Sequence, residues 1–170
     1  MSVVTEMVQV AVPVRTAYDQ WTQFESFPRF MSRVGKVTQE RPTLTHWTIR
    51  VGPLRRGFHA EVLEQHPDAH VSWRSLDRHL QHHGSVTFQS LALGRTTVTV
   101  RLHLVGWRGL GVPAPLRAVV RRMVRAELGR FQEYVEGVGD AGETWRGTIH
   151  DGRVLQLQKE PPDTPGWPHG

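Results

Sequence analysis

Glu6 and His82 are the two ionisable residues that strand alternation aims toward the interior of this chain, and a buried carboxylate beside a histidine is equipment for proton transfer. Burial tunes both groups, so such a pair orients a substrate hydroxyl or acts as a general base. The competing reading leaves Glu6 at a strand end in water and His82 in the loop from Asp77 to His83, and no motif around either residue argues against it. His79, His82 and His83 have the spacing to share a metal ion only on a helix. On a strand His82 and His83 point to opposite faces, so a solvated histidine cluster and no metal site are expected. Ser75 and Ser85 lack the glycine-flanked elbow of a nucleophilic serine. Zero cysteine removes thiol nucleophiles and thiolate metal sites. With no glycine-rich phosphate loop and no paired carboxylates at hydrolytic spacing, no cofactor is expected.

Which side chains face inward follows from the period of 2 along strands. Taking the apolar alternation as the inner face selects Trp47, Ile49 and Val51; Phe58, Ala60 and Val62; Val71 and Trp73; Val86 and Phe88; Val98, Val100, Leu102 and Leu104. The same parity carries Glu6, Ser75 and His82 inward and sends Arg74 outward, toward a cross-strand carboxylate. Apolar walls with a few polar groups are what a small-molecule site requires. The expected ligand-binding residues are therefore Trp21, Phe27, Phe30, Trp47, Trp73, Ser75, Phe88, Val100 and Met123, with core packing the competing role for each aromatic ring.

The elements that must position these residues are also legible. Segments 3–12, 33–40, 43–51, 56–65, 70–76, 82–91 and 95–105 alternate and are separated by turn signals such as Arg41-Pro42, Gly52-Pro53, Pro67-Asp68 and Leu93-Gly94. Seven strands joined mostly by short connections predict an antiparallel meander, because parallel neighbours need crossovers of a dozen or more residues. After the first strand, Pro13 starts a short helix with Val14, Tyr18 and Trp21 on one face. The run from Trp21 to Met31 then packs five large apolar side chains into eleven residues around Pro28, an aromatic corner expected to act as a lid. From about Pro113 the period becomes helical. Leu116, Val119, Val120, Met123, Val124, Leu128, Phe131 and Val135 form one apolar stripe, with arginines, Glu127, Glu133 and Glu136 on the rest of the helix. Met123→Asp, which puts an unpaired charge between helix and sheet, is expected to unfold the protein. Beyond residue 138 the tail 139–170 loses its period, apart from a possible hairpin around Asp151-Gly152 and a proline-rich end expected to be disordered.

A chain of 170 residues predicts one principal domain. The net charge is +5, and 19 of the 21 basic residues are arginine, scattered from Arg15 to Arg153 without the one-sided aromatic and basic face of a nucleic-acid reader. No nucleic acid is expected as a partner. No apolar run approaches the ~20 residues that span a bilayer, and residues 1–10 lack a signal-peptide layout, so no integral membrane segment and a cytoplasmic location are expected.

Three stretches, Trp21 to Met31, Trp73-Arg74-Ser75-Leu76-Asp77 and Gly84-Ser85-Val86-Thr87-Phe88, give the chain a family resemblance over residues 3–138. It resembles the polyketide cyclase/dehydrase group of the START-like (SRPBCC, helix-grip) superfamily. The resemblance implies an α+β helix-grip fold: a seven-stranded curved antiparallel sheet wrapped around one long C-terminal helix, with residues 1–138 as the ligand-binding domain. It also implies a hydrophobic small-molecule partner, a lipid, quinone or polyketide. A sheet curved enough to wrap a helix diverges from it at one end, which predicts an internal cavity of roughly 300 Å³ or more. The alternatives are an aromatase/cyclase or dehydratase that shuttles protons with Glu6, His82 or a tyrosine, and a protein-interaction module using the basic helix. Some aromatase/cyclases of the superfamily carry a cavity arginine, which a parity shift at Arg74 would supply. Asp77-Arg78-His79 stands where the family has Asp-Gly, predicting a looser loop. Trp73→Ala is expected to alter ligand affinity more than changes at Trp107 or Trp145, which fall outside the expected pocket.

Overall fold

The structure, a computed structural model, describes residues 2–51, 53–77, 81–105 and 112–155; His79 and Trp107 of the sequence expectations, and the proline-rich end, lie outside these. Strand β1 (Ser2–Val10) leads into helix α1 (Val14–Trp21) and a 3-10 turn, Phe24–Arg29. Six strands follow: β2 (Val34–Arg41), β3 (Leu44–Val51), β4 (Leu54–His66), β5 (His70–Ser75), β6 (His82–Ala92) and β7 (Arg95–Leu104). Helix α2 (Ala114–Val138) precedes a small hairpin, β8 (Thr148–His150) and β9 (Arg153–Leu155). The sheet order is β1-β7-β6-β5-β4-β3-β2, every pair antiparallel. This is the curved sheet with a long C-terminal helix that the resemblance implied, with two strands beyond the seven counted from sequence.

The extra pair has a structural cause. Pairing of β3 with β4 ends at Leu44↔Glu61, which leaves the last residues of β4 with an unpaired edge. Strand β8 covers that edge through Gln65↔Ile149, and the Gly152 amide donates to the Leu63 carbonyl at 2.9 Å. The hairpin turn is the one anticipated at Asp151-Gly152, both at positive φ (50° and 73°), which a two-residue turn of this hand requires. Ile149 is fully buried in the core. The hairpin at 148–155 is thus packed into the body of the protein.

Two aromatic groups organise the interior. Trp21 sits edge-to-face against Phe27, Phe88 and Phe131 at 5.3, 6.3 and 5.0 Å, while Phe30 packs on Phe131 and stacks on Tyr134 at 4.6 Å. The expected aromatic lid is buried: Phe30 packs on the α2 rings Phe131 and Tyr134, while Phe24 and Phe27 pack on each other and on Trp47. The stripe on α2 needs a second correction. Leu128, Phe131 and Val135 are buried, but Leu116 and Val119 are about half exposed. The sheet and the first half of the helix diverge, so only the C-terminal half is clamped. Met123, half-buried on the diverging half, does not occupy a tight helix–sheet contact. Unfolding by Met123→Asp is therefore no longer expected.

Behind this core lies a buried polar group. Asp19, on α1, accepts a hydrogen bond from Arg146 Nη1, and Arg146 Nη2 reaches Asp68 at 2.6 Å. The Arg146 guanidinium also lies over the Tyr18 ring, 5.4 Å from its centroid. Tyr18 is fully buried, and its hydroxyl has no hydrogen-bond partner among the described residues. Burial pushes its phenol from 10.0 up to about 12, opposed by Gln65 and Arg146. Because the folded value lies above the unfolded one, this contribution is intact below pH 10 and is lost as pH rises toward 12. The loss amounts to about 2–3 kcal/mol at the upper end. Tyr18→Phe should abolish that alkaline loss and change stability little at neutral pH, since it removes a hydroxyl that is buried unpaired. Urea unfolding of both proteins at pH 8 and pH 11 measures this, and an equal alkaline loss in the variant would assign the effect to another group.

Candidate functional site

Where sheet and helix part, a cavity of about 290 Å³ remains. Its walls come from three sources. The aromatic corner supplies Trp21, Phe24 and Phe27. The concave sheet face supplies Trp47, Phe58, Val62, Val71, Trp73, Val100 and Leu102, and α2 supplies Val120, Met123, Val124 and Leu128. The lining turns from buried to exposed at Arg33 and Arg50, so the opening lies between the β2 and β3 ends and the unclamped half of α2.

Trp73 owes its position to a missing side chain. It pairs across the strands with Gly84, which in turn pairs with Leu102. A Cβ on Gly84 would come within 2.6 Å of the Trp73 ring and 2.8 Å of Leu102. Glycine here lets an indole lie flat across the neighbouring strand, the use of strand glycine for close approach.

Polar groups on the wall are few and mostly engaged. Thr45 donates to the Ala60 carbonyl at 3.2 Å and accepts from Trp47 Nε1 at 2.7 Å, which locks that indole. His82 lies edge-on to Phe58 at 5.4 Å, and its amide donates to Ser75 Oγ at 2.9 Å. Glu127, carried on α2 together with the arginines, also lines the cavity. One carboxylate oxygen accepts from Arg130 at 3.0 Å and from Ser32 at 3.4 Å, while Oε2 is buried without a partner among the described residues. The missed signal was the helical spacing, since Glu127 follows Val124 by three and precedes Phe131 by four.

The remaining sequence-selected residues divide cleanly. Trp21, Phe27, Trp47, Trp73, Val100, Met123 and His82 line the cavity. Phe30 and Phe88 do not: they are core rings, packed on Phe131 and Tyr134 and on Tyr18 and Trp21 respectively. Ser75 is occupied in holding the start of β6. Glu6 faces α2 but meets Arg125, at 3.2 and 3.3 Å, instead of the cavity. The pairings Glu6↔Val100 and His82↔Leu104 set Glu6 and His82 four positions apart, about 13 Å along strands of 3.3 Å rise, with β7 between them. They do not form a proton-transfer pair. Arg74 faces outward and meets Glu61 at 3.2 Å directly across from it, as parity required. His83 stacks on His103 at 4.4 Å on the face opposite His82, where burial and then the His103 charge push its imidazole pKa down. Trp145 lies away from this cavity, beside Thr22 and Gln39.

Comparison with known proteins agrees with this architecture. The profile of the family described as polyketide cyclase / dehydrase and lipid transport matches residues 10–132. An uncharacterised 17.2 kDa protein of Streptomyces lincolnensis is 38% identical over 149 residues, covering 88% of this chain and 99% of that protein. Among solved structures, the Zhui aromatase/cyclase of Streptomyces sp. R1128 superposes with a TM-score of 0.67 at 17% identity, over 84% of this chain and 99% of that one. A START superfamily protein of Mycobacterium smegmatis gives 0.65 at 17% identity, over 79% and 94%. No helix among the described residues is long and apolar enough to cross a membrane. With a matching profile across most of its length and the fold to go with it, this chain belongs to the polyketide cyclase/dehydrase and lipid transport family.

Proposed function

We propose that the protein binds and carries a compact hydrophobic or aromatic small molecule, lipid-, quinone- or polyketide-like, in this cavity. The observation that carries the reading is the wall itself: aromatic and aliphatic on nearly every side, with its few polar groups largely committed to each other. The volume lies just under the ~300–1,000 Å³ range of ligand sites, which suits a flat ring system or a single short chain better than a two-chain lipid. Burial of apolar ligand surface supplies the affinity, at about 25 cal/mol per Å² removed from water. Glu127 Oε2 supplies orientation by accepting a ligand hydroxyl. Carriage is favoured over cyclisation because, of the expected proton-shuttling residues, His82 alone reaches the cavity wall. Glu6 is held by arginine outside the cavity, Tyr18 is sealed in the core, and Tyr134 is stacked against Phe30.

Uptake of an environment-sensitive apolar dye by the native protein, and its displacement by flat hydrophobic alcohols, tests this. Trp73→Ala should weaken dye binding by about 10-fold or more, as loss of a stacked aromatic wall implies, and Trp145→Ala should leave it unchanged. A native protein that takes up no dye, or equal effects of the two variants, would remove the proposal. Native mass spectrometry of the purified protein would name the class of any molecule already bound.

A further inference from the structure

Away from the cavity, the join between the C-terminal hairpin and the sheet gathers four side chains with metal-binding atoms. Glu64 and His66 are alternate residues of β4 and share a face. Gln65 between them pairs with Ile149 and both are buried, so the register puts His150 directly opposite Glu64 on the outer face. On the other side His66 pairs with His70 of β5, ring over ring at 4.6 Å. Two strands thereby bring imidazoles to one carboxylate, with His70 of β5 stacked on His66.

The geometry is close to that of a ligand set. Glu64 Oε2 lies 2.7 Å from His66 Nε2 and 3.1 Å from His150 Nδ1. All three donor atoms fall within 4.8 Å of one another. An ion bonded at about 2.0–2.2 Å to each would hold tetrahedral donor atoms roughly 3.3–3.6 Å apart, a change that side-chain rotation accommodates. The second carboxylate oxygen, Oε1, accepts from the Asp151 amide at 3.3 Å, which fixes the carboxylate against the hairpin turn.

We propose that Glu64, His66 and His150 form a binding site for a divalent transition metal ion, which fastens the C-terminal hairpin to the sheet. Two imidazoles and a carboxylate suit zinc, and also nickel or copper, whereas calcium and magnesium require shells of oxygen. The remaining coordination position belongs to water, as His150 lies at the exposed side of the cluster. Since β8 and β9 contribute a ligand only when paired with β4, metal binding and hairpin docking stabilise each other.

Untagged protein, stripped with a chelator and titrated calorimetrically with zinc chloride, tests the site. The expected result is one high-affinity zinc per chain, no comparable binding of magnesium, and slowed amide exchange across Thr148–Leu155 in the zinc-bound form. His150→Ala and His66→Ala should each weaken zinc binding by more than about 10-fold, the scale on which even outer-shell losses act. His83→Ala, in the separate stack with His103, should not. His150 is largely exposed, so its replacement leaves the fold intact and the comparison meaningful. The proposal is overturned if zinc binds the His150→Ala protein as tightly as the native one, or if no stoichiometric binding occurs.

Discussion

Replacing Arg146 with alanine is expected to destabilise the protein by about 3–5 kcal/mol, the cost of leaving a buried charge without its partner. Asp19 is the reason. Its side chain is only 2% exposed, and Arg146 holds it while bridging to Asp68 in the β4–β5 turn. Arg15 lies 3.7 Å from the same carboxylate but is itself 71% exposed, so it is a screened and weak substitute. Burial already raises the Asp19 carboxyl in the native protein, with Arg146 working against it. Without Arg146 that rise is larger, and a group raised in the folded state contributes stability at low pH and loses it as pH increases. The variant should therefore regain part of its deficit on acidification through the carboxylate range, and adding Asp19→Asn should restore much of it at neutral pH. Thermal melts across that range test both statements, at about 2–4 °C per kcal/mol for a chain of this size. A melting point unmoved by Arg146→Ala would show that Asp19 does not depend on Arg146 for its compensation.

A comparable loss, about 3–5 kcal/mol, is expected for Phe131→Ala. Phe131 has no exposed surface and is the ring on which α2 grips both Trp21 and Phe30. Truncation leaves a hole where three aromatic rings meet, and neighbours fixed by sheet and helix cannot collapse into it. Leu116→Ala, in the same stripe of the same helix, should change stability by no more than about 0.5 kcal/mol because that side chain already stands half in solvent. The contrast tests the divergence of helix and sheet on which the cavity depends. Equal losses at the two positions, measured by urea unfolding, would mean that α2 is clamped along its whole length and that no opening exists.

Local pattern, by itself, determined most of the framework of this protein. Alternation located the seven long strands to within a residue or two, and strand parity turned Arg74 outward toward a carboxylate and split His82 from His83. Helical spacing found α2, and Asp151-Gly152 marked the hairpin. These are properties of period and turn chemistry, which act over a few residues. Only the tertiary structure decided how far each inward side chain stood from what it faced. Phe30 and Phe88 point inward just as Trp47 and Trp73 do, yet the first two fill core and the others wall a cavity, because the sheet curves away from α2 at one end only. The same divergence exposes Leu116, and the side-chain angle around α2 brings Glu127 to the cavity edge. Arg146 meeting Asp19 across 127 residues, and His150 meeting Glu64 across 86, follow from a register between distant strands that no local period encodes. Long-range distance is set by accumulated twist and packing, and it is there that the chemistry of this protein resides.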